Sequence, residues 1–117
     1  MPSKRPADRL NDIVANIDAI AAYTAGMAEE RFAADAKTRD ATQHCLLRIS
    51  EAAVKLDDLA EQLAPDQPWR DIRGLGNRLR HEYDRIEPTI IWKIVTVDLP
   101  ALRRACEDAL KQIEKGA

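Results

Sequence analysis

Aromatic residues are scarce in this sequence: Phe, Tyr and Trp together make up 4% of its 117 positions. β-Sandwich and barrel cores draw heavily on aromatic and β-branched side chains set on alternating strands, and no stretch of any length alternates in that way. Cysteine is scarce as well. Cys45 and Cys106 stand in apolar helical contexts with no nearby Cys or His at metal-ligand spacing, so they read as small buried hydrophobes of a reducing compartment. No His, Cys and carboxylate cluster shows zinc-site spacing. The acidic pairs Glu29-Glu30 and Asp57-Asp58 read as solvated faces, and neither a metal nor a cofactor is expected. No run approaches the roughly 20 apolar residues of a spanning helix. The opening Met1-Pro2-Ser3-Lys4-Arg5-Pro6 is not followed by the apolar stretch of a signal peptide. A cytoplasmic protein without membrane contact is therefore expected. Charge of one sign is lacking too, since the formal net charge is −2. A general binder of phosphate backbones is usually basic, so any contact with nucleic acid has to be local.

What is present is Ala, Leu and charge. Hydrophobic residues make up 45% and charged residues 32%, the balance of a folded, well-solvated domain. The length fits a single domain, 1–117, with a core large enough to stand without disulfides or metals. Residues 8–25 read as a helix that Asp8 can cap, with Leu10, Ile13, Val14, Ile17, Ile20 and Ala21 at helical spacing and Gly26 as its stop. A turn of helix follows around Glu29–Phe32. From about Asp35 to Leu63 the positions Ala41, Cys45, Ile49, Ala52, Leu56, Leu59 and Leu63 keep one unbroken period, and Pro65 and Pro68 end it. A third helix begins near Pro68, with Trp69, Ile72, Leu75 and Leu79 as its buried stripe. Gly74 and Gly76 inside it each cost about 1 kcal/mol relative to Ala, which points to a close approach there or to a bend. A last stretch runs from about Pro88 to Lys115, where Pro100 is expected to break or kink the helix and Asp98 to cap a new segment. Ile90–Val97 is β-rich in composition, yet its flanks make it helix. The fold class that follows is all-α, an antiparallel up-and-down bundle of four to five helices.

Most of the polarity that this fold leaves unexplained lies in Trp69-Arg-Asp-Ile-Arg-Gly-Leu-Gly-Asn-Arg-Leu-Arg-His-Glu-Tyr-Asp84. Arg70, Arg73, Arg78, Arg80 and Arg85 fall within sixteen positions. On a helix Arg73, Asn77 and His81 follow one another at i,i+4 steps, and Arg78 neighbours His81 at i−3. Tyr83 lies just beyond. Histidine titrates near neutrality and can take or give a proton. Arginine suits phosphate and can stabilise a pentavalent phosphorus, and an amide can orient either partner. The set fits metal-independent cleavage of RNA, in which the 2′-hydroxyl attacks the adjacent phosphate.

The segment resembles the signature of the HepT-like toxin family of the HEPN superfamily: Trp69-Arg-Asp-Ile72 ahead of the site, then Asn77-x-Leu-x-His81-x-Tyr83. Thr38-Arg-Asp-Ala41, Ser50-Glu-Ala-Ala53, Ile91-Trp92 and Asp98-Leu-Pro100 look like the same family, so the resemblance spans nearly the whole chain. It implies a helical bundle that pairs as a homodimer. It further implies an endoribonuclease toxin of a type VII-like toxin–antitoxin module, with an RNA substrate. By the same resemblance Asn77 and His81 are catalytic; the phosphate stabiliser is expected to be Arg78 or Arg73, whose long side chains can swing a guanidinium toward a phosphate at His81. Tyr83 is then the residue adenylylated by the partner, an MntA-like nucleotidyltransferase antitoxin. One position departs from the pattern. The family's arginine directly precedes the polar residue, and here that place is Gly76. The alternative reading is a catalytically weakened helical dimer that serves as a nucleotidyltransferase-binding or nucleotide-binding module.

Overall fold

The computed structural model describes residues 5–116. Four long helices carry the fold: α1 (Pro6–Thr24), α3 (Ala36–Leu56), α5 (Trp69–Glu82) and α7 (Leu99–Gly116). Three short ones join them: α2 (Glu29–Ala34), α4 (Asp58–Leu63) and α6 (Pro88–Lys93). A 3₁₀ turn, Tyr83–Arg85, follows α5, and a π-helical segment, Ile94–Asp98, links α6 to α7. No strand occurs among the described residues, and the all-α bundle expected from the sequence is the one observed.

Each long helix forms because an apolar stripe recurs along one side of it. Leu10, Ile13, Ile17 and Ile20 are buried on α1, and Cys45, Leu46, Ile49, Ala52, Ala53 and Leu56 on α3. α3 packs against both α1 and α5, and α1 packs in turn against α7. The lateral order is therefore α5, α3, α1, α7. Apolar burial at about 25 cal/mol per Å² drives this packing. Polar ties fix the register. Arg103 on α7 grips the Asp18 carboxylate on α1 at 2.7 and 3.1 Å. Trp69, 2% exposed, donates its indole N–H to the Ala64 carbonyl at 2.8 Å and so pins the start of α5 to the end of α4.

Some sequence expectations need correction. α1 starts at Pro6 with no side-chain cap, and Asp8 lies inside its first turn. The unbroken helix expected from Asp35 to Leu63 is two helices. Asp35 does cap it, accepting the Thr38 N–H at 3.0 Å, but the chain breaks at Asp57, whose φ is +52°. The apolar period runs on across the break because α4 keeps nearly the same side inward, burying Ala60. A π segment rather than a stop interrupts the α-helical bonding just ahead of Pro100. The wide turn ahead of it, closed by the Leu99 N–H on the Ile94 carbonyl, leaves Pro100 at the second position of α7, where a missing N–H is harmless. Asp98 makes no capping hydrogen bond.

Because α5 and α7 sit at opposite ends of the lateral order, the bundle stays open between them. A groove of about 840 Å³ runs there, floored by Leu46 and Ile49 of α3 and walled by α5, the π segment and α7. Val97, 58% exposed, stands at its edge.

Candidate active site

The polar residues singled out in the sequence fall on α5 and the turn after it. Trp69, Gly76 and Leu79 are its buried side. Asn77, Arg78, His81 and Tyr83 are all exposed, so the structure brings the first three together on the solvent face of one helix. Tyr83 opens the 3₁₀ turn and is 62% exposed. Arg78 also borders the groove, and its Nε stands 4.0 Å from the Glu82 carboxylate one turn on.

Arg73 is placed differently from what the shared helical face suggests. Its guanidinium holds both oxygens of Glu61 on α4, with each N–O distance 2.7 Å. The same group donates to the Ala53 carbonyl at 3.2 Å and to the Asp57 carbonyl at 2.8 Å. The break between α3 and α4 leaves carbonyls without helical partners, and Arg73 satisfies them. The Glu61 hydrogen bond raises the guanidinium above its ordinary pKa, and the reciprocal bond holds the Glu61 carboxyl below its own. Arg73 therefore staples α5 to the α3–α4 junction, with four of the five donors of its fork engaged there.

The two glycines part company. A Cβ at Gly74 would meet nothing within 4 Å, whereas one at Gly76 would lie 2.2 Å from Ser50 Oγ and 2.8 Å from Ser50 Cβ. Gly76 thus marks the close approach expected from the sequence, and its neighbour is α3 rather than a ligand. The Ser50 hydroxyl, 1% exposed, accepts the Gly76 N–H and donates to the Arg73 carbonyl, both at 3.0 Å. Any side chain at position 76 would have to move Ser50 aside.

Sequence reasoning gave Arg80 no role of its own. In the structure its Nη1 comes within 3.6 Å of the place where a Cβ on residue 76 would be. The signal available in the sequence was the i,i+4 spacing of Gly76 and Arg80.

Trp92 packs on Phe32 with ring centroids 5.2 Å apart, a core role as its context implied. Cys45 and Cys106 are buried and unbonded to each other. Among the described residues no helix is long and apolar enough to cross a membrane, and none of their His, Cys, Asp and Glu side chains group in threes that could hold a metal ion.

Comparison with known proteins agrees with this architecture. Residues 13–109 match the family described as Ribonuclease HepT-like. A Thermococcus cleftensis protein named Probable ribonuclease HepT is 32% identical over 104 residues, which is 89% of this chain and 94% of that one. A Methanocaldococcus jannaschii protein named as an RNase is 33% identical over 114 residues, 97% of this chain and 94% of its own. A Caldanaerobacter subterraneus protein, also named as an RNase, is 26% identical over 109 residues, covering 93% and 97%. No solved structure matches. With a family match over most of its length and relatives aligned nearly end to end, this chain belongs to the HepT-like ribonuclease family.

Proposed function

We propose that the protein is a metal-independent endoribonuclease of the HEPN type and the toxin of a bacterial toxin–antitoxin module. The observation that carries the reading is the exposed face of α5, where Asn77 and His81 stand one turn apart with Arg78 beside them. The RNA 2′-hydroxyl attacks the adjacent phosphorus and the 5′-oxygen of the next nucleotide leaves. His81 takes a proton from the attacking hydroxyl or gives one to the leaving oxygen. A guanidinium, Arg78 in this reading, offsets the extra charge on the phosphoryl oxygens, and Asn77 orients the phosphate or the imidazole. The groove beside α5 suits the second copy of a homodimer, since it exposes apolar surface that a partner helix would cover.

Tyr83 is the modification site in this reading. A nucleotidyltransferase partner of the MntA kind would transfer an adenylyl group from ATP to the exposed phenol oxygen with loss of pyrophosphate, setting a charged nucleotide two residues from His81 and closing the site. Gly76 supports a second reading, in which the chain is a weakened family member that binds the partner or a nucleotide without cutting RNA.

Induced expression of the chain alone in bacteria, beside His81→Ala, separates the two. Growth arrest with loss of RNA integrity in the wild type only is the expected result. Absence of arrest from a soluble, folded wild type would overturn the nuclease reading in favour of the binding module. Co-expression with the partner should add an adenylyl mass to the peptide containing Tyr83, and an unmodified peptide would count against the modification.

A further inference from the structure

We infer that Arg80, rather than Arg78 or Arg73, supplies the guanidinium that meets the RNA phosphate beside His81; the inference rests on the ribonuclease reading and moves its guanidinium from Arg78 to Arg80. Three arginines of α5 compete for the role, and the structure sorts them by what already holds them. Arg73 is committed, with both oxygens of Glu61 and two backbone carbonyls on its fork. Arg78 shares its helix face with Glu82, whose carboxylate stands 4.0 Å away, and it borders the apolar groove. A carboxylate so placed offsets the arginine's charge before any phosphate arrives. Arg80 is exposed, and among the described residues it forms no ion pair or hydrogen bond. An unpaired planar fork is the form of arginine best suited to phosphate.

Position around the helix points the same way. Asn77 has Arg80 at i+3 and His81 at i+4, the two spacings that make helical neighbours. Arg80, Asn77 and His81 therefore form one strip with the amide in the middle. Arg78 also neighbours His81, at i−3, but it lies about 160° around the axis from Arg80, on the side of His81 away from Asn77 and toward the groove. Long side chains on helices lean back toward the N-terminus, and Arg80 does so until its Nη1 is 3.6 Å from the Cβ position of residue 76. A Cβ there would collide with Ser50 but would only touch the Arg80 Nη1 at ordinary van der Waals distance. Arg80 thus reaches back from the next turn over the position where the signature has its arginine.

The test uses the full-length chain as wild type, Arg80→Ala, Arg80→Lys, Arg78→Ala and His81→Ala. Two readouts are taken: cleavage of an RNA oligonucleotide in the presence of EDTA, and the salt dependence of binding to the same oligonucleotide in its uncleavable 2′-O-methyl form. Arg80→Ala is expected to lower kcat/KM about a hundredfold, the usual scale for removing a charge-stabilising donor. Lys at that position should restore part of the loss, and Arg78→Ala should lose less than Arg80→Ala. Binding by Arg80→Ala should lose about one unit of salt slope, whereas His81→Ala should keep the wild-type slope. Loss of cleavage in Arg78→Ala with Arg80→Ala active would overturn the assignment and leave the nuclease reading standing. If wild type shows no His81-dependent cleavage, the nuclease reading falls, and Arg80 is judged on binding alone. A reduced slope in Arg80→Ala then upholds it as the phosphate contact, and an unchanged slope overturns it.

Discussion

Adding one methyl group at Gly76 should weaken the protein, although the same change two residues earlier should strengthen it. Gly→Ala within a helix favours folding by about 1 kcal/mol through backbone entropy. At Gly74 nothing lies within 4 Å of the new carbon, so Gly74→Ala should realise most of that gain. At Gly76 the carbon would lie 2.2 Å from Ser50 Oγ and 2.8 Å from Ser50 Cβ. Rotating the hydroxyl away relieves only the first contact, because the Ser50 Cβ is fixed by the α3 backbone. Overpacking of this kind costs about 1–3 kcal/mol. A displaced hydroxyl that stays buried without partners costs about 1–3 kcal/mol more. Together the two costs come to about 2–6 kcal/mol against a gain of about 1 kcal/mol, so Gly76→Ala should be less stable by about 1–5 kcal/mol. Urea denaturation followed by far-UV circular dichroism, at one protein concentration for all variants, reads the difference. Ser50→Gly removes the obstructing carbon, so the double variant Ser50→Gly/Gly76→Ala should show a favourable coupling of about 1–3 kcal/mol. A Gly76→Ala midpoint at or above that of wild type would refute the reasoning, and so would strict additivity in the cycle.

Two further outcomes follow from the electrostatics of buried and paired groups. Glu61 is held below its ordinary value of 4.5 by the Arg73 hydrogen bond, and Asp18 below 3.8 by that of Arg103. A carboxyl whose pKa is lowered by folding stabilises the native state above its unfolded value and loses that contribution as the pH falls through the folded one. Urea midpoints should therefore be flat at neutral pH and drop below about pH 4.5, and Glu61→Gln should start lower and drop less; an identical acid limb in that variant would rule out the pairing. Burial pushes the Cys106 thiol up to about 12 and raises Cys45 as well. Since the thiolate is the reactive form, a thiol-specific disulfide reagent should leave both unmodified in the native protein and label both in denaturant. Rapid labelling of native Cys106 would contradict the burial.

Where the sequence was legible, one helix carried its own signal. The stripes of α1 and α3 and the stop at Gly26 are local patterns, and the structure has them. The break at Asp57 was hidden because Leu56 and Ala60 go on pointing inward on either side of it, so the period never falters. Arg73 was misjudged for a related reason. A shared helix face tells which side chains start near one another, not which neighbouring helix offers a carboxylate, and Glu61 became a partner only when α4 folded back. The contact between Gly76 and Ser50 joins positions 26 residues apart, beyond any spacing rule. The common placement of Asn77, Arg78 and His81 on the exposed face was legible, because it depends on nothing except the continuity of α5.

The wide turn at Ile94–Asp98 amounts to a frameshift written into a helix. In a plain α-helix the residue seven places after the buried Ile91 returns to the same side, and here that residue is Asp98. The π segment admits one extra residue, so Leu99 takes the inward place and Asp98 stays in water. Everything after it (Leu102, Cys106, Ala109) inherits the corrected frame and reaches α1. Removing one residue from the segment would keep Leu99 inward but would return Pro100 to the interior of an unbroken helix, where its ring meets the carbonyl four residues back. The insertion therefore makes the proline tolerable, and it cannot be lost before the proline without cost.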